Sequence, residues 1–246
     1  MAHAPSLSIV IPTFNSEESL PVLMDRLATV LKSLGAPYEI IIVNDGSRDK
    51  TETVLAQLAR QVSNLVPVTL GRNYGQHNAL LCGIRLAKHE VIVTLDDDLQ
   101  NPPEEIPELL DRLNEGYDVV YGTPLEQHYG LGRGLATALV KWAFSVAMGL
   151  KIAEQISAFR VFRTRLRDSF AQFNGPYVSI DVLLSWGTTR FGSVPVRHDA
   201  WQRPRVPLLS VHYFDFLRHP TIYARHSRRI FRSSVYESDR SSLLCR

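Results

Sequence analysis

A regular alternation of two hydrophobic periods over the first half of the chain constrains the fold most. Short β-branched and aliphatic runs stand at Leu7–Ile11, Tyr38–Val43, Val66–Leu70, Val91–Leu95 and Val119–Tyr121. Between them, apolar residues recur every three or four positions, as on one face of a helix. The clearest stripe runs from Glu17 to Leu34 through Leu20, Leu23, Met24, Leu27, Val30 and Leu31, and Gly35 closes it. A second, capped by Ser47 or Asp49, carries Val54, Leu55, Leu58 and Val62. A third spans Asn78–Ala87, and a fourth begins near Pro103, passes Ile106, Leu109, Leu110 and Leu113, and ends at Gly116. Strands and helices joined by short links predict an α/β fold, a mostly parallel sheet with helices on both faces.

Right-handed crossovers bring the C-terminal ends of such strands to one rim, where ligands of open α/β sheets gather. The polar residues that break the pattern sit at those ends. Pro12-Thr13-Phe14-Asn15 follows the first strand, Asn44-Asp45-Gly46-Ser47 the second, Gly71-Arg72-Asn73-Tyr74-Gly75 the third and Asp96-Asp97-Asp98-Leu99-Gln100 the fourth. Four strand ends thus direct polar chemistry at one cleft.

The acidic triplet is the sharpest of these signals, because adjacent carboxylates repel unless a cation neutralises them. In an extended chain Asp96 and Asp98 project to the same side, and Gln100 adds a carbonyl oxygen there. An all-oxygen set suits Mg²⁺ or Mn²⁺, with a bound diphosphate completing the shell. Helix capping is the competing reading, since acids ahead of Pro102-Pro103-Glu104-Glu105 also complement a helix N-terminus. Asp45-Gly46 fits either a base or ribose contact or an Asx turn. Arg72-Asn73 fits either a nucleotide contact or a surface loop. His77 and His128 lack metal-ligand spacing and read as structural or solvent-facing, and Cys82 reads as core.

Beyond Gly122 the pattern loosens. Residues 131–151 read as an amphipathic helix with Arg133, Lys141 and Lys151 among apolar residues, either lying in a membrane interface or docked on the main domain. Further expected elements are a strand at Ala158–Phe162, a helix at Val178–Trp186 and a strand at Val194–Arg197. From Arg197 onward there are ten Arg, no Lys and four acids, a net +6, against −4 for the rest of the chain. Such a tail suits a membrane surface or a polyanion, or is a solvated and irregular segment.

Composition narrows the class. With 45% hydrophobic and 21% charged residues, the chain is neither disordered nor collagen-like. Two cysteines, Cys82 and Cys245, exclude a disulfide framework and a four-thiolate zinc site, and point to a reducing compartment. No apolar run approaches the ~20 residues needed to span a bilayer, and no cleaved signal is expected. No G-x-G-x-x-G follows the first strand, which disfavours a dinucleotide-dependent dehydrogenase.

Taken in order, Ile9-Val10-Ile11-Pro12-Thr13-Phe14-Asn15, Val43-Asn44-Asp45-Gly46-Ser47-Arg48-Asp49 and Arg72-Asn73-Tyr74-Gly75 resemble the family 2 glycosyltransferases of GT-A fold. Asp96 through Glu104, with Gly116-Tyr117-Asp118-Val119-Val120, resembles a narrower branch, the polyprenyl-phosphate glycosyltransferases. That branch includes the dolichol-phosphate mannosyltransferases and the undecaprenyl-phosphate sugar transferases. The resemblance covers roughly residues 7–198, which sets the expected domain at 1–198 and a divergent tail at 199–246.

The resemblance implies inverting transfer from a nucleotide-sugar donor to a polyprenyl-phosphate acceptor. It implies a peripheral protein at the cytoplasmic membrane face, with Mg²⁺ or Mn²⁺ as cofactor and no nucleic acid as partner. Carried over by position, Pro12, Phe14, Asn15, Glu17, Asp45, Gly46, Arg72, Asn73, Asp96 and Asp97 hold the nucleotide-sugar. Asp96, Asp98 and Gln100 hold the metal, and Asp97 faces sugar or nucleotide. Asp97, Asp98, Arg133 and Arg160 serve catalysis, and Arg133, Ser157 and Arg160 meet the acceptor phosphate.

Several positions depart from the family. The acid that usually follows the Asn of the first motif is Ser16 here, Pro124 stands where an Arg is common, and Ser157-Ala158-Phe159-Arg160 lacks the usual Asp. After His198 the expected Arg and the closing loop are missing, and a shifted reading frame in the coding DNA would leave such an abrupt end. The competing functions are a family 2 transferase with a soluble or glycan acceptor, with Asp181 as the general base, and a non-catalytic nucleotide-sugar-binding protein at a membrane.

Overall fold

The computed structural model describes residues 5–124, 156–175 and 177–199. The helix expected at 131–151, with Arg133 and His128, and the tail from residue 200 lie outside the described residues. The element order is β1 (Leu7–Thr13), α1 (Ser19–Leu34), β2 (Tyr38–Asn44), α2 (Thr51–Gln61), β3 (Leu65–Thr69), α3 (Gln76–Leu86), β4 (Val91–Thr94), α4 (Ile106–Asn114), β5 (Val119–Pro124), β6 (Arg160–Arg163), α5 (Ile180–Gly187) and β7 (Phe191–Val196). Short 3₁₀ turns at Pro103–Glu105 and Thr164–Phe170 precede α4 and follow β6.

The strands form one seven-stranded sheet in the order β3-β2-β1-β4-β6-β5-β7. Six strands run the same way, and β6 alone is antiparallel to its neighbours β4 and β5. This reversal follows from where the chain re-enters. Arg160, the first residue of β6, pairs with Thr94, the last residue of β4, and with Tyr121 midway along β5. The strand therefore starts at the rim where β4 finishes, and a parallel reading of its sequence could not anticipate this.

Alternating side chains build two cores. Ile9, Ile11, Ile40, Ile42 and Val93 face α1, α4 and Leu55 of α2. Val10, Ile41, Val43 and Ile92 face α3, α5 and the second 3₁₀ turn, and Cys82 is buried in this cluster as the sequence suggests. Gly83 lets α3 lie unusually close to the sheet, since a Cβ there would sit 2.4 Å from Val10 Cγ1. Gly35 ends α1 in the left-handed region, at φ 64°, as expected of a C-cap glycine.

At the opposite rim, Asp118 gathers the N-terminal ends of β5 and β7. Its carboxylate, 4% exposed, accepts hydrogen bonds from Thr188 Oγ1 at 2.6 Å, Arg165 at 2.7 Å and both Nε and a terminal nitrogen of Arg190 at 3.0 and 2.9 Å. Burial works to raise its pKa, but the bonds from Thr188, Arg165 and Arg190 outweigh this and hold it below the ordinary aspartate value. A depressed carboxylate stabilises the fold above its unfolded pKa and loses that contribution as pH falls through its folded value. Asp118→Asn is therefore expected to cost on the order of 3 kcal/mol at pH 7. Urea unfolding from pH 7 to 3 will show wild type and variant converging below about pH 4, the unperturbed aspartate range.

Candidate active site at the C-terminal rim

The loops after β1, β2, β3 and β4 meet at the C-terminal rim and are braced to one another by side-chain bonds. After β1, Asn15 takes φ 54°, a left-handed conformation that Asn tolerates better than most residues. Its backbone N–H donates to Ser47 Oγ at 2.9 Å, and its Oδ1 accepts from Arg48 N at 2.9 Å. Glu17 Oε2 accepts from Lys50 N at 2.8 Å, ahead of α2. Ser16 N donates to Thr51 Oγ1 at 2.7 Å. Pro12 is buried, whereas Phe14 is 36% exposed at the rim.

The second loop is fastened to the third. Asp45, 3% exposed, accepts from Tyr74 N at 2.7 Å through Oδ1 and from Gly75 N at 2.8 Å through Oδ2. Gly46, at φ 66°, lies against the same loop, and a Cβ there would fall 2.5 Å from the Arg72 carbonyl carbon. Only glycine suits both the torsion and the approach. Arg72 and Asn73 are exposed, and Arg72 stacks over the Tyr74 ring at 4.8 Å. Asp45 is therefore first a loop anchor, with Arg72 and Asn73 presented above it.

The acid run after β4 alternates in exposure. Asp96, Asp98 and Gln100 are half-buried, while Leu95, Asp97 and Leu99 between them are buried. Gln76 Nε2, at the start of α3, donates to Asp96 Oδ1 at 2.5 Å, and Gln100 N donates to Asp98 Oδ1 at 3.1 Å. Leu99 takes φ 60°, a strained torsion for a leucine, with its side chain 1% exposed. Asp97, 6% exposed, is bonded by the Ser16 hydroxyl of the β1–α1 loop and is more deeply buried than Asp96 or Asp98. The sequence expectation places Asp97 toward sugar or nucleotide; its described partner is Ser16.

Among the described residues no group of three or more His, Cys, Asp or Glu side chains forms a metal-ligating cluster. The candidate set is two carboxylates and an amide oxygen, which suits a hard cation that takes its remaining ligands from phosphate or water. The Thr13 hydroxyl, at the end of β1 and 2% exposed, has no hydrogen-bond partner among the described residues.

Arg160 lies beneath the rim instead of in it. It is 1% exposed, paired with Asp181, and its Nε donates to Thr94 Oγ1 at 3.1 Å. Tyr121 also donates to Asp181, at 3.0 Å. Burial works against the guanidinium charge, but Asp181, Tyr121 and Asp96 outweigh it and raise its pKa further. Burial, then Asp181, push the Tyr121 phenol well above its ordinary value. The expected contact of Arg160 with an acceptor phosphate thus gives way to a buried pair, and Asp181 is held as the partner of a cation instead of standing ready as a base. Ser157, half-buried, accepts from Phe159 N at 3.2 Å within its own turn. His77, half-buried, sits with Nδ1 3.5 Å from Ile180 N at the start of α5.

The exit from β7 returns to the acid loop. Asp199 N donates to Gln100 O at 2.9 Å, and Arg26 of α1 bridges Asp199 at 3.2 Å and Glu104 at 2.7 Å. Sequence reasoning missed the Ser16–Asp97 contact and the Arg160–Asp181–Tyr121 cluster. No spacing rule links residues 81 positions apart, and an Asp buried within a helix resembles any first-turn acid.

Comparison with known proteins accords with this geometry. The model of the family described as Glycosyl transferase family 2 matches residues 8–143. The chain is 36% identical over 193 residues to an undecaprenyl-phosphate 4-deoxy-4-formamido-L-arabinose transferase of Photorhabdus laumondii, covering 78% of this chain and 59% of that protein. The protein of the same description from Pectobacterium atrosepticum is 35% identical over 194 residues, with the same coverage. The chain spans about three fifths of the length of these curated relatives.

Among solved structures, a mannosyltransferase from Pyrobaculum calidifontis in complex with GDP-Man and Mn²⁺ superimposes with a TM-score of 0.58 at 17% identity, over 83% of this chain and 59% of that one. Glucosyl-3-phosphoglycerate synthase from Mycobacterium tuberculosis, in complex with Mn²⁺ and UDP-glucose, gives 0.58 at 21% identity, over 82% and 73%. These likenesses bear on the fold. With a family match over more than half its length and the expected strand-end motifs converging on one rim, the chain belongs to glycosyl transferase family 2.

Proposed function

We propose that this chain carries the donor site of an inverting, metal-dependent glycosyltransferase that moves a sugar from a nucleotide-sugar to a polyprenyl phosphate. The observation that carries the reading is the alternation in burial along the acid run, which leaves Asp96, Asp98 and Gln100 half-exposed between buried Leu95, Asp97 and Leu99 at the end of β4. The curated relatives, described as undecaprenyl-phosphate transferases, support the acceptor class. Solved structures of the same fold that hold Mn²⁺ with a nucleotide-sugar support the donor and the cation.

In this reading the exposed Phe14, Asn15, Arg72 and Asn73 receive the nucleotide. Pro12, Glu17, Asp45 and Gly46 fix the loops that present them. Thr13 offers a buried hydroxyl that a polar ligand group can satisfy. Asp96, Asp98 and Gln100 hold Mg²⁺ or Mn²⁺, which when bound offsets charge on the departing diphosphate as a Lewis acid. A phosphate acceptor is anionic at neutral pH and needs no strong base, so the engagement of Asp181 with Arg160 fits this acceptor better than a hydroxyl of a soluble glycan. Arg133 is assigned to the acceptor phosphate, and the segment 131–151 to the membrane interface at the cytoplasmic face. No helix among the described residues is long and apolar enough to cross a membrane.

Two measurements test this reading. The protein is incubated with membranes, Mn²⁺ and a panel of labelled nucleotide-sugars, and label is expected in an organic-extractable, mild-acid-labile product. Asp98→Ala should lower that transfer by about 10²-fold or more, as loss of a transition-state charge stabiliser does. Its unfolding midpoint should stay close to that of wild type. Wild-type turnover by this variant would overturn the metal assignment, label confined to aqueous product would select a soluble acceptor, and binding without turnover would select a non-catalytic protein. Separately, Gly46→Ala should displace the 72–75 loop and weaken binding of UDP or GDP with Mn²⁺ by about tenfold in calorimetry, the equivalent of about 1–2 kcal/mol of strain.

A further inference from the structure

We propose that Asp97 is a positioning residue that acts through Ser16, latching the acid loop to the β1–α1 loop so that Asp96, Asp98 and Gln100 are held outward. The inference rests on the donor-site reading above and assigns the middle acid of the run a role apart from cation or sugar. Asp97 and Ser16 are 6% and 3% exposed and bonded side chain to side chain across 81 positions of sequence.

The contact belongs to a longer buried chain of bonds. Ser16 N donates to Thr51 Oγ1 at 2.7 Å, and Thr51, fully buried, donates its own hydroxyl proton to Asp49 Oδ1 at 2.5 Å. Asp49 Oδ2 then accepts from Glu17 N at 3.2 Å. Each hydroxyl has a single proton, and each donates it to a carboxylate, Ser16 to Asp97 and Thr51 to Asp49. Burial opposes the Asp49 charge, but the Thr51 and Glu17 bonds more than offset this and hold its pKa below the ordinary value. The chain ends on an acid at each side, and loss of the Ser16 hydroxyl removes the bond that ties Asp97 to the β1–α1 loop.

The acid run is consequently divided by parity. Leu95, Asp97 and Leu99 anchor the backbone inward, and Leu99 is held at φ 60° with its side chain buried. Asp96, Asp98 and Gln100 are the residues that this anchoring presents. Sequestering the middle charge under a hydroxyl also relieves the crowding of three adjacent carboxylates. Ser16, a departure from the family pattern in the sequence, is here the partner of an acid supplied from the facing loop.

The test uses the full chain with Ser16→Ala, Ser16→Thr, Asp97→Ala, Asp97→Asn and Asp98→Asn. Amide hydrogen exchange is expected to rise about tenfold at residues 95–101 in Ser16→Ala and at 13–18 in Asp97→Ala, the loss of one charge-assisted bond. The double variant should add little, and Ser16→Thr, which keeps the hydroxyl, should restore protection. Mn²⁺ titration by electron paramagnetic resonance should find Asp97→Asn within about twofold of wild type, because its amide oxygen still accepts from Ser16. Asp98→Asn should lose about tenfold or more as a direct ligand, and Ser16→Ala, which touches no cation, about threefold, recovered in Ser16→Thr.

Exchange that rises only in the substituted loop would overturn the latch, as would Asp97→Asn weakening Mn²⁺ as severely as Asp98→Asn. Should Ser16→Ala or Asp97→Ala fail to fold, Asp97→Asn carries the comparison, because it exchanges the charge-assisted bond for a weaker neutral one. Exchange at residues 13–18 modestly above that of Asp98→Asn then supports the latch, and exchange equal to it overturns the latch. Absence of Mn²⁺ binding by wild type would count against the metal site, while the exchange measurements still decide the latch.

Discussion

One buried guanidinium underlies the acidic rim. Arg160 enters the sheet on the one reversed strand among the described residues, between β4 and β5, and is enclosed by Asp181, Thr94 and Tyr121. A cation in that position is costly to bury, and removing its partner from such a pair typically destabilises a protein by about 3–5 kcal/mol. Its field extends to Asp96, one of the acids that raises its pKa. Of the three adjacent acids at the end of β4, Asp96 thus lies within reach of the buried guanidinium, whose direct partner is Asp181. The antiparallel strand is the topological means of placing the guanidinium there.

Above that charge, order comes from contacts between loops more than within them. Asp45 fastens the third strand's loop to the second, Asn15 and Glu17 fasten the first to the second, and Ser16 fastens the first to the fourth. In a parallel sheet each of these loops closes a different crossover, so no single element could position them all. Hydrogen bonds from backbone N–H groups to side-chain oxygens supply most of the bracing, which satisfies donors that irregular backbone would otherwise leave open.

Much of this was legible in the sequence, for reasons that can be traced to particular residues. The periods at Leu7–Ile11 and Glu17–Leu34 located β1 and α1 because burial on two faces and on one stripe leaves different signatures. Asp96, Asp98 and Gln100 alternate in exposure with their neighbours as a two-residue repeat would have them, but the run is a turn and a bend with Leu99 at φ 60°, not the extended chain the sequence suggested. The direction of β6 was hidden, since a four-residue run of Arg-Val-Phe-Arg reads the same in either sense. The inward turn of Asp97 and the burial of Arg160 were hidden as well. Charged residues carry a prior for exposure, and only partners distant in sequence, Ser16 and Asp181, reverse it.

The bond from Asp199 N to Gln100 O carries one more implication. Beyond β7 the polypeptide departs from the very mouth of the cleft, tethered to the backbone that bears the outward acids and clasped by Arg26. A pull on the chain at Asp199 therefore meets the backbone of Gln100 and the Arg26 side chain before the hydrophobic interior. The point of departure is mechanically a handle on the acid loop, held at Asp199 by Gln100 and Arg26.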